Sequence, residues 1–431
     1  MKREELDSRL RLMQDADLKG KVVLVRVDHN VVKKGRIKDP YRIDATIGTL
    51  YAIAEKGGRP VLMTHVGRPR DKKTGAIACK EGQSVRPIVE YLEQKLPVSV
   101  RVPVFDIHPE KGILHLDPEA VKPAIEDLRS GRVSMVYLPN TRWFQGEQAK
   151  GPERDGFAEE LAGLADIYVN DAFGSWQPHA STYDVARLLP SYAGTLLQRE
   201  LASLHRVLEP RKPFLAVVAG AKYDTKLGPL KALYEKVDRL ILGGVMYNTY
   251  LSAKYGIRIQ GVPEEDVALA EELVGRDKRE GKILELPLVV ASETTEEKAR
   301  GRFRRVDIRE LKGDEALPYV LDVDPESLES KEVKEAVSSA GTIFVNAVMG
   351  LTPHFWEGSE ALYRLLMENR EAKKFFGGGD TLQELRALCP GPYMDGLDDP
   401  GTYYFTGGGS VLAALEQGTA YGLKPVEALM D

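Results

Sequence analysis

The chain has 431 residues, a net charge of −5, and 43% hydrophobic against 29% charged residues. That length exceeds what one core ordinarily serves, so a soluble globular protein of two or more domains is expected, and the acidic balance disfavours general nucleic-acid binding. Two distant cysteines, Cys79 and Cys389, exclude a disulfide framework or zinc site. No apolar run reaches the roughly 20 residues of a membrane helix and MKREELDSRL is no signal peptide, so a cytoplasmic location is expected.

In chain order, KVVLVRVD (21–28) predicts a first strand that ends in RVDHN. A helix follows, with Arg42 at its start and a stripe of Ile43, Ile47, Leu50 and Ala54, stopped by Gly57-Gly58. RPVLMTH (59–65) predicts the second strand and leads into VGRPRD. VSMVYLPN (133–140) precedes Arg142 and Trp143, and DIYVNDAF (166–173) ends at Asn170 and Asp171. The segment 192–208 reads as one long helix ended by Pro210 and Pro213, and a domain boundary is expected there. PFLAVVAG (213–220), VDRLILGG (237–244), TIFVNAVMG (342–350), KFFGGGD (374–380) and TYYFTGGG (402–409) predict the strands of a second half. Near-continuous Val, Ile and Leu between helix-period stretches predicts parallel sheets in an α/β fold, and in such sheets ligands bind beyond the carboxyl ends of the strands.

Those ends differ between the halves. In the first, Asp28, Asn30, His65, Arg68, Asn140 and Arg142 occupy turns that a core would reject, with Arg42 close in sequence. Arginine presents a planar fork that pairs with phosphate or carboxylate at two points, so the group reads as a small-polyanion site, with solvated surface charge as the alternative. Arg70, Lys72 and Lys73 read as solvated charge. In the second half the turns are glycine-rich: Gly220-Ala221-Lys222 with Lys226, Gly243-Gly244, Gly377-Gly378-Gly379-Asp380-Thr381, and Thr406-Gly407-Gly408-Gly409. Glycines let backbone N–H groups approach an anion at a helix start. Asp380 reads either as a magnesium ligand or as a helix N-cap. There is no GxxxxGK[ST] and no GxGxxG. An anion site and a nucleotide-like site together suggest a two-domain phosphotransferase that closes on its substrates.

RVDHN, DPYRI, THVGRPR, NTRWF, YVNDAFG, AGAKYDTK, LILGGVM, GGGDT and TGGGS occur in this order along nearly the whole chain. The set resembles the phosphoglycerate kinase family. The resemblance implies two doubly wound, Rossmann-like parallel-sheet domains joined by a hinge helix. They would span residues 1–195 for the acid and 196–413 for the Mg-nucleotide, with a tail (414–431) returning to the first domain. It implies a monomeric kinase moving a phosphoryl group between 1,3-bisphosphoglycerate and ADP, with Mg²⁺. By the same resemblance Asp28, Asn30, His65, Arg68 and Arg142 would hold the glycerate acid and its 3-phosphate. Arg42 and Lys222 would stabilise the transferring group, with Gly379 and Gly409 beside it. Gly220, Lys226, Gly243, Gly244, Asn346, Gly378 and Thr381 would meet the nucleotide, and Asp380 the metal.

The chain also departs from that family. The His-Arg pair expected after the DAFG run is replaced by Trp176-Gln177-Pro178. The ribose-contacting Glu becomes Pro353 by direct count, with Glu357 as a substitute only through an insertion. His29 stands where the family has Phe. Two other readings therefore stand beside the first: a kinase for a different small carboxylate or acyl phosphate, and a non-catalytic paralogue.

Overall fold

The computed structural model describes residues 3–220, 223, 227–311, 313 and 315–431. They form two compact units, Met1–Ala202 with Tyr421–Asp431, and Ser203–Ala420. The divisions fall at 203 and 421 rather than at the expected 196 and 414.

The first unit is built on a six-stranded sheet. Its strands are β1 (Val22–Val27), β2 (Arg59–Met63), β3 (Val100–Arg101), β4 (Met135–Tyr137), β5 (Ile167–Asp171) and β6 (Ser191–Ala193). The spatial order is β3-β4-β2-β1-β5-β6, and every pairing is parallel. All six residues of β1 are buried, as a strand covered on both faces requires. Helix α1 (Tyr41–Glu55) connects β1 to β2, with Ile43, Thr46, Thr49, Leu50 and Ile53 buried. The buried stripe is thus turned relative to the predicted one. Ile47 is only half-buried and Ala54 exposed, while two threonine hydroxyls lie on the inner face.

Helix α2 runs Thr195–Leu208 and contains the division between units. Tyr192, predicted as its start, lies instead in β6, an edge strand beside β5. The last residues return to the first unit: Leu10 bridges Met430, and the Tyr421 hydroxyl accepts a hydrogen bond from Asp7 N at 2.8 Å.

The second unit holds a five-stranded sheet of β7 (Phe214–Gly220), β8 (Arg239–Gly243), β9 (Thr342–Asn346), β10 (Lys373–Gly377) and β11 (Thr402–Phe405). The order is β8-β7-β9-β10-β11, again all parallel. Helices α3 (Gly244–Tyr255), α4 (Glu357–Glu368), α5 (Gly379–Leu388) and α6 (Gly408–Gln417) belong to it. A three-stranded antiparallel sheet, with Leu288–Ser292 between Phe303–Asp307 and Tyr319–Val323, was not predicted. No described helix is long and apolar enough to cross a membrane.

Candidate functional site

In the first unit the polar residues gather at the carboxyl ends of β1, β2 and β4, which are sheet neighbours. Asp28 is buried and accepts a hydrogen bond from Arg42 Nη1 at 3.0 Å. Asn30 Oδ1 accepts from Gly67 N at 2.9 Å, fixing a turn in which Gly67 has a φ of 64° that disfavours any other residue. Arg142 Nη1 donates to Gly67 O at 2.7 Å. Asn140 is committed to structure: Oδ1 accepts from Val66 N and Arg142 N, and Nδ2 donates to Val66 O and Gln83 O. Arg68 is exposed. Arg70, read as solvated charge, donates to Gln145 O at 2.9 Å.

Arg26, noted in RVDHN but given no role, is the buried centre of this group. Its Nε donates to Ser181 Oγ at 2.9 Å, and its Nη2 faces His65 Nδ1 at 3.2 Å. Ser181 in turn donates to the buried Glu147 through Oγ and N, at 2.6 and 3.0 Å. A guanidinium only donates, so His65 Nδ1 accepts and the ring is neutral with its proton on Nε2. Burial, followed by Arg142, Arg26, Arg42 and His179, holds the His65 pKa well below the ordinary value. Burial, followed by Arg26, also lowers that of Arg142, and Arg68 pushes it the same way. Like charges that repel one another at a strand end are poised for a polyanion. An arginine inside the apolar run VVLVRV was the available signal for Arg26.

The departure after DAFG is local. Trp176 is half-buried and Gln177 exposed. The Thr182 hydroxyl donates to Gln177 O at 2.7 Å and accepts from His179 N at 2.9 Å. His179 is the cationic-capable residue this segment contributes, and burial, with Arg142 and Arg26, lowers its pKa. Arg154 does not replace the missing Arg, because it is paired with Asp184. Asn170 and Asp171 serve the scaffold: Asn170 Oδ1 accepts from Ala172 N, and Asp171 Oδ1 accepts from Leu196 N and Leu197 N at the start of α2.

In the second unit the strand ends meet backbone to backbone. Gly220 bridges Gly244, whose φ is 59°. A Cβ on Gly243 would stand 2.5 Å from Met349 Sδ. Asn346 Nδ2 donates to Gly377 O at 2.6 Å. A Cβ on Gly408 would stand 2.5 Å from Gly378 Cα, and Gly378 itself has a φ of 112°. Helices α3, α5 and α6 start at Gly244, Gly379 and Gly408 with glycines as N-caps and no side-chain cap. Their first N–H groups have no side-chain cap, the chemistry that suits an anion at a helix start. Gly379, Asp380 and Gly409 are exposed, and Thr381 is buried. Asp380 lies inside α5 rather than at its cap, so the N-cap reading is wrong. Lys222 and Lys226 lie outside the described residues. No group of three or more His, Cys, Asp or Glu that would hold a metal occurs among the described residues.

Beyond the end of β9, Ser359 Oγ accepts from Met349 N at 2.9 Å, and Tyr363 donates to Ala347 O at 2.7 Å. Burial raises Asp322 and Glu384 to about 7 each. Glu357 is engaged in an ion pair with Lys298 and is not held ready for a ribose.

A family model described as phosphoglycerate kinase matches residues 13–418. The phosphoglycerate kinase of Dictyoglomus turgidum is 34% identical over 94% of this chain and 95% of its own, and that of Synechococcus sp. strain JA-3-3Ab is 37% identical over 93% of each. The solved phosphoglycerate kinase from Coxiella burnetii superposes with a TM-score of 0.71 at 28% identity, over 97% of this chain and 98% of that one. The Pyrococcus horikoshii structure gives 0.75 at 21%, with the same coverage, and speaks for the fold. With sequence agreement over almost the full length, and two parallel sheets carrying polar and glycine-rich carboxyl ends, the chain belongs to the phosphoglycerate kinase family.

Proposed function

We propose that this kinase transfers a phosphoryl group reversibly between the acyl phosphate of 1,3-bisphosphoglycerate and ADP, giving 3-phosphoglycerate and ATP. The observation that carries the reading is the convergence of Asp28 with Arg42, of Arg26 with His65, and of Arg142 with the Gly67 turn at the ends of the neighbouring strands β1, β2 and β4. Asp28, Asn30, His65, Arg68 and Arg142 bind the acid and its distal phosphate, His65 as a neutral N–H donor. Arg42, paired with Asp28, neutralises charge on the moving phosphoryl, with Lys222 acting from the second unit. Gly379 and Gly409 offer backbone N–H groups to the same oxygens.

Gly220, Gly243, Gly244, Asn346, Gly378 and Thr381 shape the nucleotide site, and Lys226 meets its phosphates. Mg²⁺ fits the donor set, since such a cation takes one or two carboxylates plus phosphate oxygens and Asp380 is exposed and free of a capping role. It would be held by Asp380 and the nucleotide, and would supply charge neutralisation on the phosphates. The net charge of −5 supports a small-molecule enzyme without nucleic-acid partners, here proposed as a cytoplasmic monomer.

The test is ATP-dependent turnover of 3-phosphoglycerate, read by coupled reduction of the acyl phosphate. Background rates with Mg-ATP still bound would overturn the proposal. One observation favours a second reading, a kinase for another small acid: the 174–179 segment brings no arginine. A panel of acids lacking the 3-phosphate separates the two.

A further inference from the structure

His29 follows Asp28 at the exit of β1 and is completely buried. Its ring spans two elements. Nδ1 lies 2.9 Å from Tyr137 Oη at the end of β4, and Nε2 lies 2.9 Å from Thr46 Oγ1 on the inner face of α1. The proton positions follow from the neighbours. The Thr46 hydroxyl donates to Ile43 O at 2.8 Å. A hydroxyl has one proton, so toward His29 it accepts, and Nε2 carries the ring proton. A neutral ring then leaves Nδ1 bare, and Tyr137 donates to it. Burial, followed by Arg26, keeps His29 uncharged, with a pKa of about 3. The result is a single-direction chain: Tyr137 to His29, His29 to Thr46, Thr46 to Ile43 O.

The chain grips the helix that carries Arg42. Arg42 and Thr46 are four residues apart on α1, so they share one helix face. Two consecutive residues of the β1 exit therefore hold two consecutive turns of that face: Asp28 holds Arg42 at 3.0 Å, and His29 holds Thr46. His29 N also donates to Thr64 Oγ1 at 3.0 Å, and Thr64 Oγ1 donates to His65 O at 3.3 Å, tying the same exit to the start of the His65 turn. An apolar ring at position 29 would fill volume but set no rotation of α1. A directional buried hydrogen bond sets it, because a slipped register leaves polar groups unsatisfied.

We infer that His29 is a positioning residue that fixes the rotation of α1 and thereby aims Arg42 at the transferring phosphoryl group. The inference rests on the proposed phosphoryl transfer for its kinetic arm and is independent of it in its spectroscopic arm.

The test uses the full chain with Thr46→Val, His29→Phe and His29→Gln. Thr46→Val removes the acceptor toward His29 and, with it, the local donation to Ile43 O within the same helix, and is not expected to unfold the protein. It and His29→Phe should lower kcat on the order of tenfold, as misaiming a charge-stabilising group does, with both KM values within about twofold. His29→Gln, which keeps a donor for Thr46, should recover most of that loss. By NMR, the wild-type His29 ring should carry its proton on Nε2 from pH 5 to 9, and Thr46→Val should lower the order parameter of the Arg42 Nε–H. An Nδ1-protonated ring, or an Arg42 signal unchanged in Thr46→Val, would overturn the inference whether or not 3-phosphoglycerate is the substrate. Unchanged kcat in an active enzyme would overturn it as well. A wild type inactive on 3-phosphoglycerate would count against the functional reading alone, leaving the NMR arm to decide.

Discussion

On the proposed function, the two units would meet anions by different means. The first uses side chains: Arg26, Arg42, Arg68 and Arg142 crowd the ends of neighbouring strands, with neutral histidines among them. The second uses backbone: Gly220 with Gly244, and Gly378 with Gly408, bring uncapped helix starts against one another. Side chains can be exchanged one at a time, so the acid site can drift in specificity. Where backbone meets backbone little change is tolerated, because a Cβ on Gly408 would stand 2.5 Å from Gly378 Cα.

The largest expected effect is at Arg42. Arg42→Ala should lower kcat by about 10³-fold with a much smaller change in KM, as removal of a charge-stabilising donor does; equal losses in kcat and affinity would contradict its role. Next is Arg68, exposed and without the Gly67 carbonyl contact that holds Arg142. Arg68→Ala should raise KM for the acid by roughly 10–100-fold, the loss of one charged hydrogen bond of about 1.5–3 kcal/mol, with nucleotide KM unchanged. In the second unit, Gly408→Ala forces a Cβ to within 2.5 Å of Gly378 Cα. It should cost about 1–3 kcal/mol of stability and raise nucleotide KM without affecting the acid, readable by calorimetric melting and kinetics. Asp380→Asn should raise the Mg²⁺ concentration for half-maximal rate by about tenfold and leave the melting temperature unchanged, because Asp380 caps nothing.

The smallest effect is a difference in pH response. His29, His65 and His179 have lowered values in the first unit. They bind protons more readily unfolded, so stability is full above about 6.5 and is lost as pH falls below it. Asp171, raised to about 6, opposes them. In the second unit Asp322 and Glu384 are raised to about 7. Their contribution is present at low pH and lost as pH rises through 7. Hydrogen-exchange protection should therefore rise in the first unit and fall in the second between pH 5 and 7, by on the order of 1 kcal/mol each. Parallel trends would contradict the burial of these groups.

Much of the fold was legible in the sequence because buried parallel strands are apolar on both faces: VVLVRV, RPVLM and FLAVVAG announce themselves. Ser191–Ala193 did not, since a short edge strand joined to a helix reads as helix. The strand Phe303–Asp307 did not either, because Arg304 and Arg305 are both exposed within it and break the apolar run. The rotated stripe of α1 was illegible for another reason. Thr46 and Thr49 are buried through hydroxyl partners, His29 and Thr195, that lie far off in sequence. For the candidate site, residue types at strand ends were readable, but commitments were not. Asn140 stood among the polar strand-end residues and holds the scaffold, as does Asp171, whereas Arg26, seen in RVDHN without a role, is the buried residue that joins Ser181 to His65.

The central claim is that the arginine cluster of the first unit selects an acid carrying a distal phosphate. Its most direct test is the ATP-dependent rate with 3-phosphoglycerate against that with glycerate, at saturating Mg-ATP. 3-Phosphoglycerate should turn over rapidly and saturably, with a kcat/KM for glycerate lower by at least about 10²-fold. Equal kcat/KM for the two acids, or turnover of neither, would contradict it.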